Sequence, residues 1–243
     1  MLIFHCVLAN IFRQSFFSIF VFIFYLFFLS YLYFYFEIFN KDRITVIECV
    51  GFLPHMINFC VPMWVGFFKK SMGGISGIPY KRLDLSFGIS NIIEWSAHLF
   101  GLMVPLLMTL ATNITFGLLG DIDLPALLSG YLGVLLYTGY VFSFSVLMFS
   151  LLGNQWLALM TTIIFMILGN VGSLIFLEIF SKFGFTFAAF VVRVFSPFFH
   201  VEPLLYGIVN GVNISFLISL TGLFFIIINL VEGRKVKDYS ETI

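Results

Sequence analysis

Charged side chains are scarce in this chain. Only 10% of its 243 residues are Asp, Glu, Lys or Arg, and 61% are hydrophobic, whereas about 25% of an ordinary soluble domain is charged. So little polar surface cannot cover a water-soluble globule of this size, which excludes a soluble protein. The 12 basic and 12 acidic residues also cancel, so the net charge gives no preference for nucleic acid or for an acidic partner.

Motifs for catalysis, nucleotide binding and metal binding are missing as well. The chain has no G-x-x-x-x-G-K-[ST] phosphate loop, no H-E-x-x-H and no G-x-S-x-G, so no ATPase or other catalytic motif is encoded in it. Its cysteines, Cys6, Cys49 and Cys60, form no C-x-x-C pair and are interpreted as small apolar side chains. We therefore expect no cofactor, no metal ion and no enzymatic activity in this chain.

What the sequence does contain is a series of long uncharged apolar runs. Six of them have 18 residues or more: 14–36, 51–68, 95–119, 126–152, 156–177 and 212–231. A helix rises about 1.5 Å per residue, so about 20 such residues cross the roughly 30 Å hydrocarbon core of a bilayer. The sequence predicts an all-α integral membrane protein, with one membrane domain of six transmembrane helices over residues 1–243.

Two of the connections between these runs are long. Residues 69–94 combine glycines and a proline with a following apolar stretch, which predicts a turn-rich loop and then a short helix along the membrane surface. Residues 178–213 include an uncharged stretch, 183–192, that is too short to cross the bilayer. This stretch predicts a re-entrant or interfacial segment before the last helix.

The basic residues are unevenly divided between the two sides of the membrane. If both chain ends share one side, that side carries eight of them: Arg13, Lys69, Lys70, Lys81, Arg82, Arg234, Lys235 and Lys237. The other side carries four: Lys41, Arg43, Lys182 and Arg193. Because positive charge is enriched on the cytoplasmic side, both termini and the 69–94 loop are predicted to be cytoplasmic.

Residues 120–158 carry a resemblance to a known family. An acidic turn at 121–123 precedes a Gly-Tyr-x-Gly helix start at 130–133, and the polar break Gly153-Asn154-Gln155 follows the apolar run. In this order the features resemble the middle of ABC-transporter permeases of the type-2 exporter class, in particular the gliding-motility-like branch. Gly153 stands where that branch usually carries an acidic residue.

The end of the chain is similar to the same family. Ser196, His200, Gly207 and the pair Arg234-Lys235 occupy the places of its closing Ser-x-x-x-His, glycine and basic elements. The likeness covers most of the chain from about residue 52 onward. One departure is at residues 69–74, which read Lys-Lys-Ser-Met-Gly-Gly where the family usually has a Glu-x-x-x-Gly-Thr-like signature.

The resemblance implies a transmembrane subunit in a bacterial inner membrane. Its implied partners are a P-loop ATP-binding subunit, which binds and hydrolyses ATP, and a second copy of the permease or a related permease. A cytoplasmic segment of the permease would transmit the ATPase movement to the spans, and residues 69–94 are the only predicted cytoplasmic loop long enough. We expect this coupling loop to dock through Lys81, Arg82, Asp84, Leu85 and Phe87.

Other polar residues lie at the ends of predicted spans. Glu94 and His98 are four residues apart and share a helix face, and Glu178 ends the fifth span. These residues are candidates for lining a transport path, or for being solvated at a helix end. Two alternative functions stay open: a proton- or sodium-coupled secondary transporter, and a polytopic membrane enzyme or assembly factor. The substrate and the direction of transport are not encoded in a recognisable motif.

Overall fold

The structure is a computed structural model that describes residues 8, 11–12, 15–39, 50–75, 87–119 and 123–241. Within these residues the regular secondary structure is helical, and no β-strand occurs. The α-helices are α1 (Ser15–Phe39), α2 (Leu53–Ile75), α3 (Phe87–Leu119), α4 (Leu124–Leu151), α5 (Gln155–Ile167), α6 (Ser173–Lys182), α7 (Thr186–Phe195), α8 (Pro197–Leu205) and α9 (Gly211–Glu241). A π-helical turn, Leu168–Gly172, joins α5 to α6.

Several of these helices are long and apolar enough to cross a membrane. Four segments qualify on length and composition: Trp95–Thr115, Leu124–Leu151, Gln155–Lys182 and Gly211–Val231. A fifth results if α7 and α8, which meet at an angle of 72°, are taken as one bent span. The shorter apolar helices Phe17–Tyr31 and Leu53–Phe68 match the first two predicted spans. The predicted all-helical architecture is thus confirmed for the described residues, with four or five segments that could cross a membrane, and the count of six spans stays a prediction.

Helix α4 lies at the centre of the bundle. It packs most extensively against α9, α2 and α8, and more than half of its residues are buried. The helix can be buried because several of its hydroxyls bond to carbonyls of their own helix. Thr138 donates to the Val134 carbonyl at 2.7 Å, and Ser145 donates to that of Val141 at 2.6 Å. Such bonds satisfy polar groups where no water is present.

Glycines let α8 and the turn after it approach α4 closely. A Cβ added at Gly133 would lie 2.8 Å from the Leu204 Cβ, so α8 would have to move. Gly207 has a φ of +80° and faces Ala126 at a similar distance, a conformation and a spacing that only glycine adopts without strain. Gly133 belongs to the Gly-Tyr-x-Gly pattern, so this pattern has a packing role here.

Polar residues cap both α4 and α5. The Asp123 carboxylate accepts a hydrogen bond from the Ala126 backbone N–H at 3.4 Å at the start of α4. The Asn154 side chain accepts bonds from the N–H groups of Trp156 and Leu157 at the start of α5, and Gln155 donates to the Gly66 carbonyl of α2. The polar break at 153–155 therefore begins a helix and ties it to α2.

The structure corrects the predicted boundaries around the 69–94 loop. Helix α2 does not end at residue 68 but continues to Ile75, so the prediction of a loop from residue 69 is wrong for this part. The expected separate surface helix is also wrong, because Phe87 begins one continuous helix that runs to Leu119. Only residues 76–86 remain between the two helices, and they lie outside the described part of the chain. Helix α9 likewise continues past the predicted span end, to Glu241.

Candidate functional site

Three polar side chains from three different helical segments meet inside the bundle. They are Asn58 of α2, Tyr137 of α4 and Asn170 of the π-helical turn, and we call them the polar cluster. Their exposed fractions are 2%, 0% and 3% respectively. Such buried polar groups in a membrane protein need partners, because the surroundings offer no water.

The hydrogen bonds of the polar cluster converge on one hydroxyl. Tyr137 Oη lies 2.8 Å from Asn58 Oδ1, and the Asn170 Nδ2 donor lies 2.7 Å from the same Oη. A phenol has one proton to donate and can also accept. Asn170 Oδ1 also lies 3.0 Å from this Oη, but the single phenolic proton cannot serve two oxygens. The assignment that uses the two shortest contacts has Tyr137 donating to Asn58 and accepting from Asn170. The cluster thus connects α2, α4 and the π-helical turn through a single atom.

Two members of the polar cluster lie near the middle of segments that are long and apolar enough to cross a membrane. Tyr137 is halfway along α4, and Asn170 is near the centre of the Gln155–Lys182 segment. Asn58 lies in the first half of the Leu53–Phe68 apolar stretch. Half of a 28-residue helix rises about 20 Å, so the cluster is well inside a hydrocarbon core of about 30 Å. Polar groups at such depth are expensive to bury, and they commonly mark a functional position.

The π-helical turn is also bonded to the junction between α7 and α8. Ser196, at the junction between α7 and α8, places its Oγ 3.2 Å from the Gly169 carbonyl and 3.1 Å from Ser173 Oγ. Ser173 Oγ in turn donates to the Asn170 carbonyl at 2.7 Å. A π-helical turn disturbs the regular backbone ladder, and these hydroxyls satisfy the displaced carbonyls. The turn is therefore fixed both to the polar cluster and to the bent pair α7–α8.

His200 of α8 fixes the bent pair to its neighbours. Its Nδ1 lies 2.9 Å from Asn213 Oδ1 of α9, and its Nε2 lies 2.8 Å from the Val194 carbonyl of α7. The ring also stacks on Phe216 with centroids 3.9 Å apart. Ser196, His200 and Gly207, which carry the resemblance at the end of the chain, thus all hold α7, α8 and the following turn against the bundle.

The predicted coupling residues fall mostly outside the described residues. Lys81, Arg82, Asp84 and Leu85 lie between α2 and α3 in the undescribed stretch 76–86, and Phe87 is the first residue of α3. Their docking role stays a prediction. The structure does place the flanking helices: α2 leads from the polar cluster to Ile75, and α3 leads away from Phe87 into the bundle.

The predicted path-lining residues lie in different surroundings. Glu94 is in α3, and nothing is described of its side chain. His98, one turn further on, is 1% exposed among aromatic rings, with Phe68 and Phe142 at centroid distances of 5.1 and 6.3 Å. Neither ring nitrogen of His98 has a hydrogen-bond partner among the described residues. Glu178 is largely exposed and pairs with Lys182 at 2.5 Å. In this single chain His98 belongs to the core and Glu178 to the surface.

Sequence reasoning did not single out the polar cluster. The available signal was an isolated asparagine or tyrosine within a long uncharged run, as at Asn58 and Asn170. Among the described residues, no group of three or more His, Cys, Asp or Glu side chains is placed to hold a metal ion. Comparison with protein-family models, curated proteins and solved structures finds no match for this chain.

Proposed function

We propose that this chain is the transmembrane permease subunit of an ABC transporter that exports its cargo. A separate P-loop subunit binds and hydrolyses ATP, and two permease copies, or this chain and a related permease, form the membrane part. The observation that carries the proposal is the bent pair α7–α8, with its 72° angle, between the last two long apolar segments. Short bent helices at this place belong to the pattern that the sequence resemblance implies.

In the proposed arrangement the chain crosses the bacterial inner membrane six times. Helices α1, α2, α3 and α4, the α5–α6 unit and α9 are the spans, and α7–α8 is a re-entrant pair on the outer side. Both termini and residues 69–94 face the cytoplasm, in agreement with the excess of basic residues there. A re-entrant pair is compatible with the bilayer because its junction is bonded to protein through Ser196.

In this arrangement the polar cluster transmits a displacement of α2 to the bent pair α7–α8. The ATP-binding subunit docks on the predicted coupling residues between α2 and α3, and it displaces the cytoplasmic end of α2. Asn58, on the same helix, moves Tyr137 and the π-helical turn, and Ser196 passes this displacement to the bent pair. From Asn58 to Ser196, each step is a hydrogen bond of 3.2 Å or less between described residues. A packed helix with two discrete positions is the kind of element that carries such coupling.

Affinity purification in mild detergent tests the proposal. A tagged chain is expected to recover a P-loop ATPase in a stoichiometric amount, and hydrolysis by the eluate should disappear when the Walker lysine of that partner is replaced. Leu85→Asp combined with Phe87→Asp should abolish recovery of the ATPase. The matched control is Phe183→Asp, on the proposed outer side, which should leave recovery intact. A folded, ATPase-free preparation of the unaltered chain would refute the proposal.

One observation favours a second candidate, a proton-coupled secondary transporter. His98 is a titratable side chain in a membrane-spanning helix, is 1% exposed and lacks a hydrogen-bond partner among the described residues. A protonatable group inside a span is typical of proton-coupled transport. In proteoliposomes, transport that follows an imposed proton gradient without ATP, and that His98→Gln abolishes, would support this candidate. ATP-dependent transport that persists in His98→Gln would exclude it.

A further inference from the structure

Two apolar stripes on α3 and α4 enclose a groove. Each stripe has residues spaced three, four and seven apart, the spacing that puts side chains on one helix face. The groove has a volume of about 260 Å³ and is lined by Met103, Leu106, Leu107 and Leu110 of α3 and by Leu128, Tyr131, Leu132 and Leu135 of α4. We call it the α3–α4 groove.

The depth of the α3–α4 groove follows from helix geometry. Both of its walls belong to segments that are long and apolar enough to span the membrane, Trp95–Thr115 and Leu124–Leu151. The α4 wall lies four to eleven residues after the helix start, which is about 6 to 17 Å along the axis. The groove therefore lies within one half of a hydrocarbon core of about 30 Å, on the side where α3 and α4 are joined. Each wall is about 10 Å long.

The walls of the groove offer an occupant no polar group that needs a hydrogen bond. The only polar lining residue is Tyr131, whose hydroxyl lies 2.9 Å from Thr109 Oγ1 and 3.0 Å from Asn113 Nδ2. These bonds satisfy the hydroxyl and leave the ring as an apolar wall. The rim is open to the surroundings, since Leu107 is 60% and Leu128 56% exposed.

We propose that the α3–α4 groove binds one acyl chain of a membrane lipid. An empty apolar groove at this depth forfeits the dispersion contacts of its walls, and an acyl chain supplies them without hydrogen bonds. The groove by itself is too small to be a protein interface, because its eight lining residues compare with roughly 20–30 per side of a stable one. The inference depends only on the membrane location of the chain and goes beyond the proposed transport function.

Photolabelling with a lipid tests this inference. The purified chain, in nanodiscs, is exposed to a phospholipid that carries a diazirine near the middle of one acyl chain, and labelled peptides are mapped by mass spectrometry. We expect label on the α3 and α4 walls that saturates and falls at least fivefold when excess unlabelled phospholipid of the same class is added. Exposed side chains of α9, such as Leu223 and Leu230, contact bulk lipid and should be labelled in proportion to the probe, without saturation.

Groove-filling variants supply the matched comparison. Leu107→Trp with Leu132→Trp should reduce labelling of α3 and α4 at least fivefold and leave α9 unchanged, whereas Leu223→Trp should leave the groove label unchanged. The milder Leu107→Phe serves if the double variant does not fold, as judged by gel filtration and thermal unfolding. Label that does not saturate, or that the fillers leave unchanged, overturns the proposal and makes the groove an ordinary lipid-facing surface. Cross-links from residue 107 to a second chain would overturn it in favour of an interface between copies.

Discussion

Replacing Tyr137 by phenylalanine removes one hydroxyl from the centre of the bundle and almost no volume. Asn58 Oδ1 and Asn170 Nδ2 both lose the partner that now lies 2.8 and 2.7 Å away. Neither amide can form a replacement hydrogen bond with water, because both side chains are at most 3% exposed. The variant therefore measures what two hydrogen bonds contribute at the middle of a membrane protein.

The expected loss can be worked out from these two bonds. Interhelical hydrogen bonds in membrane proteins contribute about 0.6 kcal/mol on average and at most about 1.7 kcal/mol each. Two of them give about 1–3 kcal/mol for Tyr137→Phe. Removing all three polar groups, by adding Asn58→Leu and Asn170→Leu, leaves no buried group unpaired. We expect this triple variant to lose less stability than Tyr137→Phe alone.

Reversible unfolding in mixed SDS micelles provides the assay. The free energy of unfolding is measured for the unaltered chain, for Tyr137→Phe and for the triple variant, with Tyr140→Phe as control because its hydroxyl lies outside the polar cluster. A loss of under about 0.3 kcal/mol for Tyr137→Phe would refute the hydrogen-bond assignment. Additive losses in the triple variant would show that the three residues do not act as one unit. If the coupling route is right, Tyr137→Phe also retains ATP hydrolysis while export of cargo falls.

Three other predictions concern packing, capping and surface charge. Gly133→Ala should lower stability by about 1–3 kcal/mol, because the added Cβ would lie 2.8 Å from an atom of α8. The control is Gly139→Ala, where the nearest atom to the added Cβ is 3.9 Å away, and thermal unfolding should show no loss of stability for it. Asn154→Ala removes the side chain that caps α5 and should lower the free energy of unfolding in SDS micelles by about 0.5–2 kcal/mol. An unchanged free energy of unfolding would contradict the capping role. Glu178→Gln should leave thermal stability unchanged, because its ion pair with Lys182 is exposed; a measurable loss would show that the pair is covered in the assembly.

The sequence predicted the apolar helices well and their ends less well. Long uncharged runs must be helical in a bilayer, so the fourth predicted span, 126–152, differs from α4 by only two residues at its start and one at its end. The length of an apolar run does not show where a helix ends when the helix continues beyond the membrane into water. Glycines at 73 and 74 predicted a break, yet α2 runs to Ile75. Glycine lowers helix propensity by only about 1 kcal/mol per residue, which neighbouring turns can offset.

The candidate site was harder to predict because it depends on contacts between distant residues. The bond from Tyr137 to Asn58 joins positions 79 residues apart, and no local pattern in either run indicates the other. The charged and titratable residues were easier to select, but the structure places His98 among aromatic rings and Glu178 at the surface. In an apolar bundle the neutral amides and hydroxyls, rather than the charges, form the internal network.

The hydroxyls of α4 divide this helix into two halves that are held in place differently. Ser129, Tyr131 and Tyr137 bond to other helices, so directional contacts fix the register of the first half against its neighbours. The hydroxyls at 138, 143 and 145 bond within α4 and add no such contact. The register of the first half therefore depends on single hydroxyl groups, whereas these three positions of the second half leave the contact with neighbouring helices to side-chain packing, as between Phe144 and Phe224.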